Sequence, residues 1–208
     1  MIDFPGRVAV VTGGNRGIGR ATALLLARAG ADVAITCHTR LGEADAVVAE
    51  IERLGRRALR VAGDHADPAL VTRMFAEIDE RLGRVDLFVA NAGVWPPEEV
   101  RLGELSDERW RRTVAANLDG VFLTTRAALR RMPAGGSAVL VSSTAGQRGE
   151  AGHADYAATK GAVIALTKSL AVEYAPRITV NCVAPGWVDT EMAAPALGGG
   201  ARERIAAG

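Results

Sequence analysis

The chain has 208 residues, a mass of 21.7 kDa and a formal net charge of +1. The length suits one large domain or two small ones, and the hydrophobic content of 49% is enough for a buried core. A charge near zero argues against nucleic-acid and membrane-surface partners, and no apolar run approaches the roughly 20 residues that cross a bilayer. With no signal peptide and only two cysteines, we expect a cytoplasmic protein.

Short runs of β-branched residues alternate with helical patterns along the chain. The first run, Arg7–Thr12, ends in glycines and precedes a helical pattern that Gly30 terminates. The alternation then repeats. We predict further strands at Asp32–Cys37, Arg57–Ala62, Asp86–Ala90, Ser137–Ser142 and Arg177–Val183, and helices at Gly17–Ala29, Glu43–Leu54, Pro68–Leu82, Asp107–Arg131 and Tyr156–Tyr174.

This alternation predicts an α/β fold. Near-continuous apolar strands separated by helices indicate parallel strands that are covered on both faces. Right-handed crossovers then predict a doubly wound parallel sheet (Rossmann type) with strand order 3-2-1-4-5-6. Because no linker or internal repeat interrupts the pattern, we predict that residues 1–208 form a single domain.

The cysteines and histidines do not predict a disulfide or a metal site. The strand order places Cys37 and Cys182 four strands apart, at roughly 4.8 Å for each spacing, which is too far for a disulfide. His38, His65 and His153 do not stand at metal-ligand spacing with one another or with the cysteines.

A glycine-rich segment joins the first strand to the first helix, with the sequence Thr12-Gly13-Gly14-Asn15-Arg16-Gly17-Ile18-Gly19. Glycines let a backbone turn tightly and approach a pyrophosphate at the positive end of a helix. The spacing G-x-x-x-G-x-G differs from the commoner G-x-G-x-x-G, and a plain turn remains an alternative. Its place after the first strand of an α/β chain favours a nucleotide site.

Two further motifs carry hydroxyl and amine groups. Tyr156 and Lys160 stand four residues apart on one face of a predicted helix, where the cation would lower the phenol pKa from about 10. Ser142 and Ser143 end the fifth predicted strand, where such sheets bind ligands, although serines also cap helices and turns there. The 13 residues from Ser143 to Tyr156 leave room for a short loop that brings the two hydroxyls together.

In this order, the motifs resemble the short-chain dehydrogenase/reductase family in its single-domain form. The resemblance extends from about Gly6 to Thr190 and, within the family, is to bacterial members similar to 3-oxoacyl-carrier-protein reductases. Besides the motifs above, the matching residues are Asp64, Asn91-Ala92-Gly93, Asn117, and Asn181-x-Val183-x-Pro185-Gly186 with Val188 and Thr190.

The resemblance implies an enzyme that interconverts a carbonyl and a secondary alcohol by hydride transfer on a nicotinamide cofactor. Tyr156 would be the proton donor or acceptor, and Ser143 would hold the substrate oxygen. Lys160 would lower the pKa of Tyr156 and bind the nicotinamide ribose, and Asn117 would anchor a water that links Lys160 to solvent. Hydride addition builds negative charge on oxygen, so a positioned acid is what the chemistry needs.

The resemblance also implies a set of cofactor-binding residues. They are Gly13, Asn15, Arg16, Gly17, Ile18 and Gly19 in the first loop, His38, Thr39 and Arg40 after the second strand, Asp64 and His65 at the adenine, Asn91, Ala92 and Gly93 at the adenosine ribose, Tyr156 and Lys160, and Pro185, Gly186, Val188 and Thr190 at the nicotinamide. Without the family, Asp64 is equally a solvated loop carboxylate and Asn91–Gly93 a plain turn.

The cofactor prediction is NADP(H) over NAD(H). Relatives that prefer NAD(H) place an acidic residue at the end of the second strand, whereas this chain has Thr36-Cys37-His38-Thr39-Arg40. Arg16 and Arg40 are available to the 2′-phosphate, for which a guanidinium is well shaped.

The substrate is a small-molecule carbonyl or alcohol whose identity stays open. It ranges over 3-oxoacyl thioesters, ketones, sugars, steroids and polyketides, since a fold does not determine specificity. The alternative is a nucleotide-binding sensor without turnover, which would not need Tyr156. Trp95 and Trp187 either face the substrate or pack on their neighbours. His153 either edges the substrate pocket or, as we favour, is a loop histidine near the helix start.

The last predictions concern assembly and the chain end. Val121, Phe122, Val163, Leu166 and Leu170 exceed what one sheet face needs, so we predict a homodimer or a homotetramer, paired through the two long helices. Many family members continue into a seventh strand, which a tetramer would need, so we expect either that the sequence lacks a C-terminal portion or that the protein is a shortened member. We expect a mobile or incomplete segment at about 191–208, and we expect Ala193–Gly200 to be mobile without cofactor.

Overall fold

The computed structural model describes residues 3–197 and shows a six-stranded parallel sheet. The strand order is β3-β2-β1-β4-β5-β6, so the predicted doubly wound fold is confirmed. The strands are β1 (Val8–Thr12), β2 (Asp32–Cys37), β3 (Ala58–Ala62), β4 (Leu87–Ala90), β5 (Gly136–Val141) and β6 (Ile178–Val183).

The helices cover both faces of this sheet. They are α1 (Gly17–Arg28), α2 (Leu41–Arg53), α3 (Pro68–Leu82), α4 (Asp107–Val114), α5 (Gly120–Leu129), α6 (Thr144–Arg148) and α7 (Ala154–Tyr174), with a short 3₁₀ turn at Leu102–Glu104. The predicted and observed ends agree within a few residues for the other elements, but two features differ from the sequence prediction.

The first difference lies within the predicted helix Asp107–Arg131. A π-helical turn at Ala115–Asp119 separates α4 from α5, and the Gly120 amide donates to the carbonyl of Ala115. The second difference is α6, which stands where we expected a loop. Ser143 caps α6, since its Oγ accepts a hydrogen bond from the Ala145 amide at 3.2 Å.

Side chains of β1 alternate between two cores. Val8 and Val10 pack with residues from the α3, α5 and α7 side, whereas Ala9 and Val11 pack with residues from α1 and α2. All four are at most 3% exposed. A strand buried on both faces explains why its sequence is continuously apolar rather than alternating.

The positions predicted to face a partner divide into two groups. Val121 and Val163 lie in the subunit's own core, and Leu166 and Leu170 pack against that core. These four side chains therefore contribute to packing the helices onto the sheet within one subunit, and they are not needed to explain contact with a partner. Phe122 is different, since 45% of it is exposed.

The segment after β6 makes turns that the sequence analysis did not predict. The amides of Ala193 and Ala194 both donate to the Thr190 carbonyl at 3.0 Å, and Ala193 is buried. The rest of the segment that we expected to be mobile, 198–208, lies outside the described residues. Cys37 and Cys182 are free, as predicted.

Candidate active site

A cleft of about 410 Å³ opens at the carboxyl edge of the sheet. Segments that follow all six strands line it, from Gly13 after β1 to the residues after β6. The chain leaves β1 and β4 in opposite directions at this edge, which is where open α/β sheets bind their ligands.

The glycine-rich loop packs closely against the backbone that follows β4 and against its own backbone, which leaves no room for side chains at two of its glycines. Gly13 has φ +65°, and a Cβ there would lie 3.0 Å from the Cα of Ala92. Gly19 is packed from the other side, because a Cβ on it would lie 2.2 Å from the Gly13 carbonyl oxygen. Side chains at either position would push the loop away from β4 and close the space that a pyrophosphate needs.

Thr12 and Asn91 join this loop to the end of β4. The Thr12 Oγ1 accepts hydrogen bonds from the amides of Asn91 and Ala92, both at 3.0 Å. The Asn91 side-chain amide donates to the carbonyls of Thr12 and Gly13, at 3.0 and 3.3 Å. Asn91 therefore holds the loop in place as well as lining the cleft.

Tyr156 and Ser143 meet at the centre of the cleft. Tyr156 lies in the first turn of α7 and is 9% exposed, while Ser143 precedes α6. Burial raises the pKa of the Tyr156 hydroxyl, a hydrogen bond with Ser143 lowers it in part, and the nearby Glu150 carboxylate raises it further. The net direction is upward, opposite to the lowering that the resemblance implied.

Lys160 lies one helical turn from Tyr156 and is 3% exposed. Its Nζ donates to the Val141 carbonyl at 2.9 Å and stands 5.7 Å from the centre of the Tyr156 ring. Burial lowers the pKa of the Lys160 amine from 10.5 to about 8. Ser142 supports this turn of α7, because its Oγ donates to the Lys160 carbonyl at 2.7 Å.

Asn117 lies behind the cleft in the π-helical turn. Its side-chain oxygen accepts from the Val94 amide at 2.7 Å, and its nitrogen donates to the Val94 carbonyl at 2.8 Å. A Cβ on Gly93 would lie 2.9 Å from Asn117 Oδ1 and 3.4 Å from Lys160 Nζ. Asn117 thus fixes the loop after β4 beside Lys160.

His65 and Asp64 occupy the loop after β3. The His65 Nε2 lies 2.7 Å from the Thr36 Oγ1, and burial lowers the pKa of the imidazole to about 4, so His65 is neutral at pH 7. The Asp64 carboxylate accepts from the Ala66 amide at 2.9 Å. Both residues line the cleft, with His38 and Thr39 from the loop after β2.

Arg16 and Arg40 point at the same carboxylate. Their Nη1 atoms lie 3.2 and 2.5 Å from the Oε2 of Glu191. Neither of these ion pairs was expected from the sequence. Arg40 also contacts Glu43, whose other oxygen accepts from the Asn15 side chain at 3.3 Å.

Two tryptophans and a histidine form an aromatic cluster beside the cleft. Trp95 stacks on His153 with ring centres 4.7 Å apart, and Trp187 meets Trp95 edge-on at 5.6 Å. His153 is 2% exposed and immediately precedes α7, so the expected position in the loop near the helix start is confirmed, and the ring there is buried. Both tryptophans pack together and also line the cleft, so both alternatives for them hold.

A buried ion pair anchors the start of α7. The Asp155 carboxylate, fully buried, accepts from Arg109 at 3.0 and 3.3 Å and from Thr113 at 2.9 Å. Burial by itself would raise the pKa of Asp155, but the Arg109 and Thr113 hydrogen bonds outweigh it and the pKa is lowered. The pair fixes Asp155, and with it the adjacent Tyr156, against α4.

Most of the predicted site residues line this one cleft. Gly19, Arg40 and Asn117 do not, since Gly19 packs beneath the loop, Arg40 stands beside Glu191, and Asn117 lies behind Val94. Pro185, Gly186, Val188 and Thr190 line the opposite wall, and the Pro185 carbonyl accepts from the Thr144 amide at 3.0 Å.

Arg109, Asp155 and Glu191 shape the site but were not singled out in the sequence, and Thr12 was named there only as the start of the glycine-rich segment. Thr12 could have been suspected, because it is the last residue of β1 before the glycines. The other three form pairs across 46 to 175 positions of sequence, for which one sequence carries no signal.

Two classes of site are not seen within residues 3–197. No group of three or more histidine, cysteine, aspartate or glutamate residues is arranged to hold a metal ion in this part of the chain. None of the helices described there has the length and hydropathy needed to span a bilayer.

A nucleotide cleft at the carboxyl edge of a doubly wound sheet, with a buried phenol beside a lysine, defines a dinucleotide-dependent oxidoreductase. The sequence model of the short chain dehydrogenase family matches residues 7–198, so the chain belongs to this family. It is an NAD(P)-dependent oxidoreductase of the short-chain dehydrogenase/reductase type.

Known proteins are similar over most of the chain. A 3-oxoacyl-[acyl-carrier-protein] reductase of Synechocystis is 39% identical, over 92% of this chain and 78% of its own length. An uncharacterized NAD-dependent oxidoreductase of Mycobacterium tuberculosis is 40% identical, over 91% of this chain and 74% of its own. A Burkholderia cenocepacia short chain dehydrogenase, crystallised with NADP, is 42% identical with a TM-score of 0.90, covering 97% of this chain and 82% of that one.

Proposed function

We propose that this protein is a cytoplasmic, NADP(H)-dependent enzyme that interconverts a small-molecule carbonyl and a secondary alcohol. The observation that carries the proposal is that one cleft contains the buried Tyr156 phenol, its hydrogen-bond partner Ser143 and the buried Lys160. Hydride addition to a carbonyl needs a proton donor and a group that holds the oxygen, which Tyr156 and Ser143 provide. Two free cysteines agree with a reducing compartment.

Tyr156 is assigned the proton transfer. A phenol is protonated at neutral pH, and burial raises the pKa of Tyr156 further, so Tyr156 holds the proton that a general acid needs before carbonyl reduction. Ser143 then donates a hydrogen bond to the substrate oxygen and holds it beside the phenol. In the direction of alcohol oxidation, the same phenol oxygen receives the proton.

Lys160 and Asn117 are assigned supporting roles. Lys160 Nζ donates a hydrogen bond to the Val141 carbonyl in this structure. The same amine would bind the ribose hydroxyls next to the nicotinamide. Asn117 holds the loop beside Lys160 through Val94, and a water near this turn would link the amine to solvent.

The cleft fits a nicotinamide dinucleotide. Gly13 lies so close to Ala92 that a Cβ on Gly13 would be 3.0 Å from the Ala92 Cα. This close approach leaves a concave surface in front of the α1 N-terminus, which suits a pyrophosphate. Asp64 and His65 would hold the adenine, Asn91 and its neighbours the adenosine ribose, and Pro185 to Thr190 the nicotinamide. When bound, the cofactor supplies or accepts the hydride.

The proposed preference for NADP(H) depends on Arg16 and Arg40. Both guanidinium groups contact one carboxylate oxygen, so the two are spaced to share an anionic oxygen of a phosphate. The Burkholderia relative was crystallised with NADP, whereas the Mycobacterium relative is called NAD-dependent. Since the family includes both, the choice depends on this chain's own side chains.

For the substrate, we propose a 3-oxoacyl thioester first, because the Synechocystis relative is named for that activity. A ring-shaped ketone is the second candidate. Trp95 and Trp187 stand at 84° to each other along the cleft and could pack on two sides of a ring. We also propose that the protein assembles at least as a homodimer, as argued below.

The proposal is tested by Tyr156→Phe, which removes the hydroxyl and leaves the ring. We expect the rate of carbonyl reduction, followed by NADPH absorbance over a panel of thioesters and ring ketones, to fall at least about 100-fold. The Kd for NADPH should change less than about twofold. Tyr174→Phe, at the other end of α7, is the matched control and should keep full activity.

Two outcomes would contradict the proposal. Substantial turnover by the Tyr156→Phe enzyme would remove Tyr156 from the proton transfer. If the unaltered protein bound NADPH but reduced none of the carbonyl compounds, the alternative of a cofactor sensor would be supported.

A further inference from the structure

Two carboxylates neutralise the positive charges of the two arginines assigned to the 2′-phosphate. Glu191 contacts both Arg16 and Arg40 through its Oε2, and Glu43 contacts Arg40 through its Oε1 at 3.0 Å. All of these side chains are well exposed to solvent, and the contacts with Arg40 lower the pKa of Glu191. At neutral pH the cluster therefore has two positive and two negative charges.

Glu191 differs from Glu43 in its place in the chain. Glu43 lies in the first turn of α2, close to Arg40 in sequence, whereas Glu191 follows β6 by several residues. Its contact with Arg16 joins the segment after β6 to the loop that precedes α1. The neighbouring Thr190 reaches the same loop, since its Cγ2 would lie 3.4 Å from a Cβ on Gly17.

We propose that Glu191 weakens the preference for NADP(H), because its carboxylate occupies the position between Arg16 and Arg40 that the 2′-phosphate would take. This inference rests on the cofactor site proposed above. NADP(H) has to displace the carboxylate before its phosphate reaches both guanidinium groups. NAD(H) has no such phosphate and leaves the contacts of Glu191 in place. The apparent affinity for NADP(H) is thus reduced by the cost of breaking two ion pairs.

The cost is modest but specific to one cofactor. Exposed ion pairs contribute little each, because water and salt screen them. A phosphate and a carboxylate on the same two cations also repel each other, so both cannot remain there. Together these effects predict a difference of about three- to fivefold in NADP(H) affinity.

A second effect of Glu191 has to be separated from the first. Since it joins two walls of the cleft, losing the contact with Arg16 could loosen the site for both cofactors. Competition with the phosphate affects only NADP(H), whereas a role in closing the cleft affects NADP(H) and NAD(H) alike. Parallel measurement of the two cofactors therefore distinguishes the two roles.

The experiment uses Glu191→Gln, which keeps the shape and removes the charge. The Kd values for NADPH and NADH are measured by titration of reduced-nicotinamide fluorescence, at low and at high salt. We expect NADPH to bind about three- to fivefold more tightly than to the unaltered protein, with NADH unchanged within twofold. The gain should shrink at high salt. Glu173→Gln, an exposed position on α7, removes the same charge and should change neither value.

Equal weakening of both cofactors, or no change in either, would overturn the inference. Arg40→Ala keeps this failure distinct from failure of the proposed function. If the unaltered protein prefers NADPH and Arg40→Ala loses that preference, the phosphate site stands even when Glu191→Gln has no effect. If the unaltered protein prefers NADH and neither variant shifts the ratio, the proposed cofactor is wrong as well.

Discussion

At the scale of single residues, Lys160 is a charge held in the protein interior. Its side chain is 3% exposed and its amine donates a hydrogen bond to the Val141 carbonyl. Burial lowers its pKa to about 8, against 10.5 for the free side chain. The charged amine therefore lowers the free energy of unfolding at neutral pH. Such a destabilising buried charge is typical of residues in functional sites.

We predict that Lys160→Met makes the protein more stable but inactive. The shift of the pKa from 10.5 to about 8 corresponds to about 3 kcal/mol of unfavourable burial, reduced by about 1 kcal/mol for the Val141 carbonyl left without its donor. We expect a gain of about 1–3 kcal/mol in the free energy of unfolding at pH 7. Cofactor affinity and turnover should both fall. Urea unfolding of the two proteins measures the difference.

The lowered pKa of Lys160 also predicts how the stability difference between the two proteins changes with pH. Between about pH 8 and 10.5 the unfolded chain binds a proton at Lys160 that the folded chain does not. The contribution of Lys160 to stability therefore improves as pH rises through this window. The advantage of Lys160→Met should shrink from pH 8 to 10.5, and a constant or growing advantage would contradict the lowered pKa.

At the scale of elements, the contact between α6 and α7 positions Ser143 against Tyr156. The two helices approach closely at Gly146, where a Cβ would lie 2.5 Å from the Lys160 carbonyl carbon and 2.7 Å from the Gly161 amide nitrogen. These are backbone atoms, which cannot turn aside as a side chain can. Gly146 thus sets the distance between the helix that Ser143 caps and the helix that carries Tyr156.

We predict that Gly146→Ala forces α6 away from α7. The free energy of unfolding should fall by about 1–3 kcal/mol, as for other overpacked contacts. The kcat should fall at least about tenfold because Ser143 moves relative to Tyr156. Thermal unfolding and steady-state kinetics measure the two effects.

Gly42→Ala is the matched control for this substitution. Gly42 also lies in a helix, α2, and a Cβ there would meet nothing within 4 Å. It should leave kcat unchanged and raise stability by up to about 1 kcal/mol, since alanine favours helix. If both variants behaved alike, the loss could not be assigned to the contact with α7.

At the scale of the whole molecule, the helices on the α5 and α7 side leave apolar side chains exposed. Phe122 on α5 is 45% exposed, with Arg126 stacked 4.7 Å from its ring centre, and Val172 on α7 is 81% exposed. Trp110 on α4 is 40% exposed. These three residues, rather than the buried Val121 and Val163, are the side chains available to the partner in the proposed homodimer.

We predict a dimer that depends on Phe122. Light scattering of the unaltered chain at micromolar concentration should give the mass of at least a dimer, and Phe122→Glu should shift it toward the monomer by placing a charge in the interface. Leu25→Glu is the control, because Leu25 is 63% exposed on α1 at the opposite face of the sheet. A clean monomer for the unaltered chain, or equal effects of both variants, would refute this arrangement.

Local patterns were sufficient to predict much of this protein. The β-branched runs and helical spacing predicted six strands and their order, because parallel strands buried on both faces must be apolar throughout and must be joined by crossovers. The order in turn predicted that residues following the strands meet at one edge. The resemblance to the short-chain dehydrogenase/reductase family then assigned Ser143, Tyr156 and Lys160 to one site, although each motif is weak by itself.

Other features were decided only by the tertiary structure. The π-helical turn at Asn117, the upward pKa shift of Tyr156 and the ion pairs of Asp155 and Glu191 depend on groups brought together from distant parts of the chain. Burial and charge act through space, whereas propensity and periodicity act through neighbouring residues. The sequence and the family resemblance therefore predicted which side chains line the cleft, and the packing of the chain determined their charge and protonation.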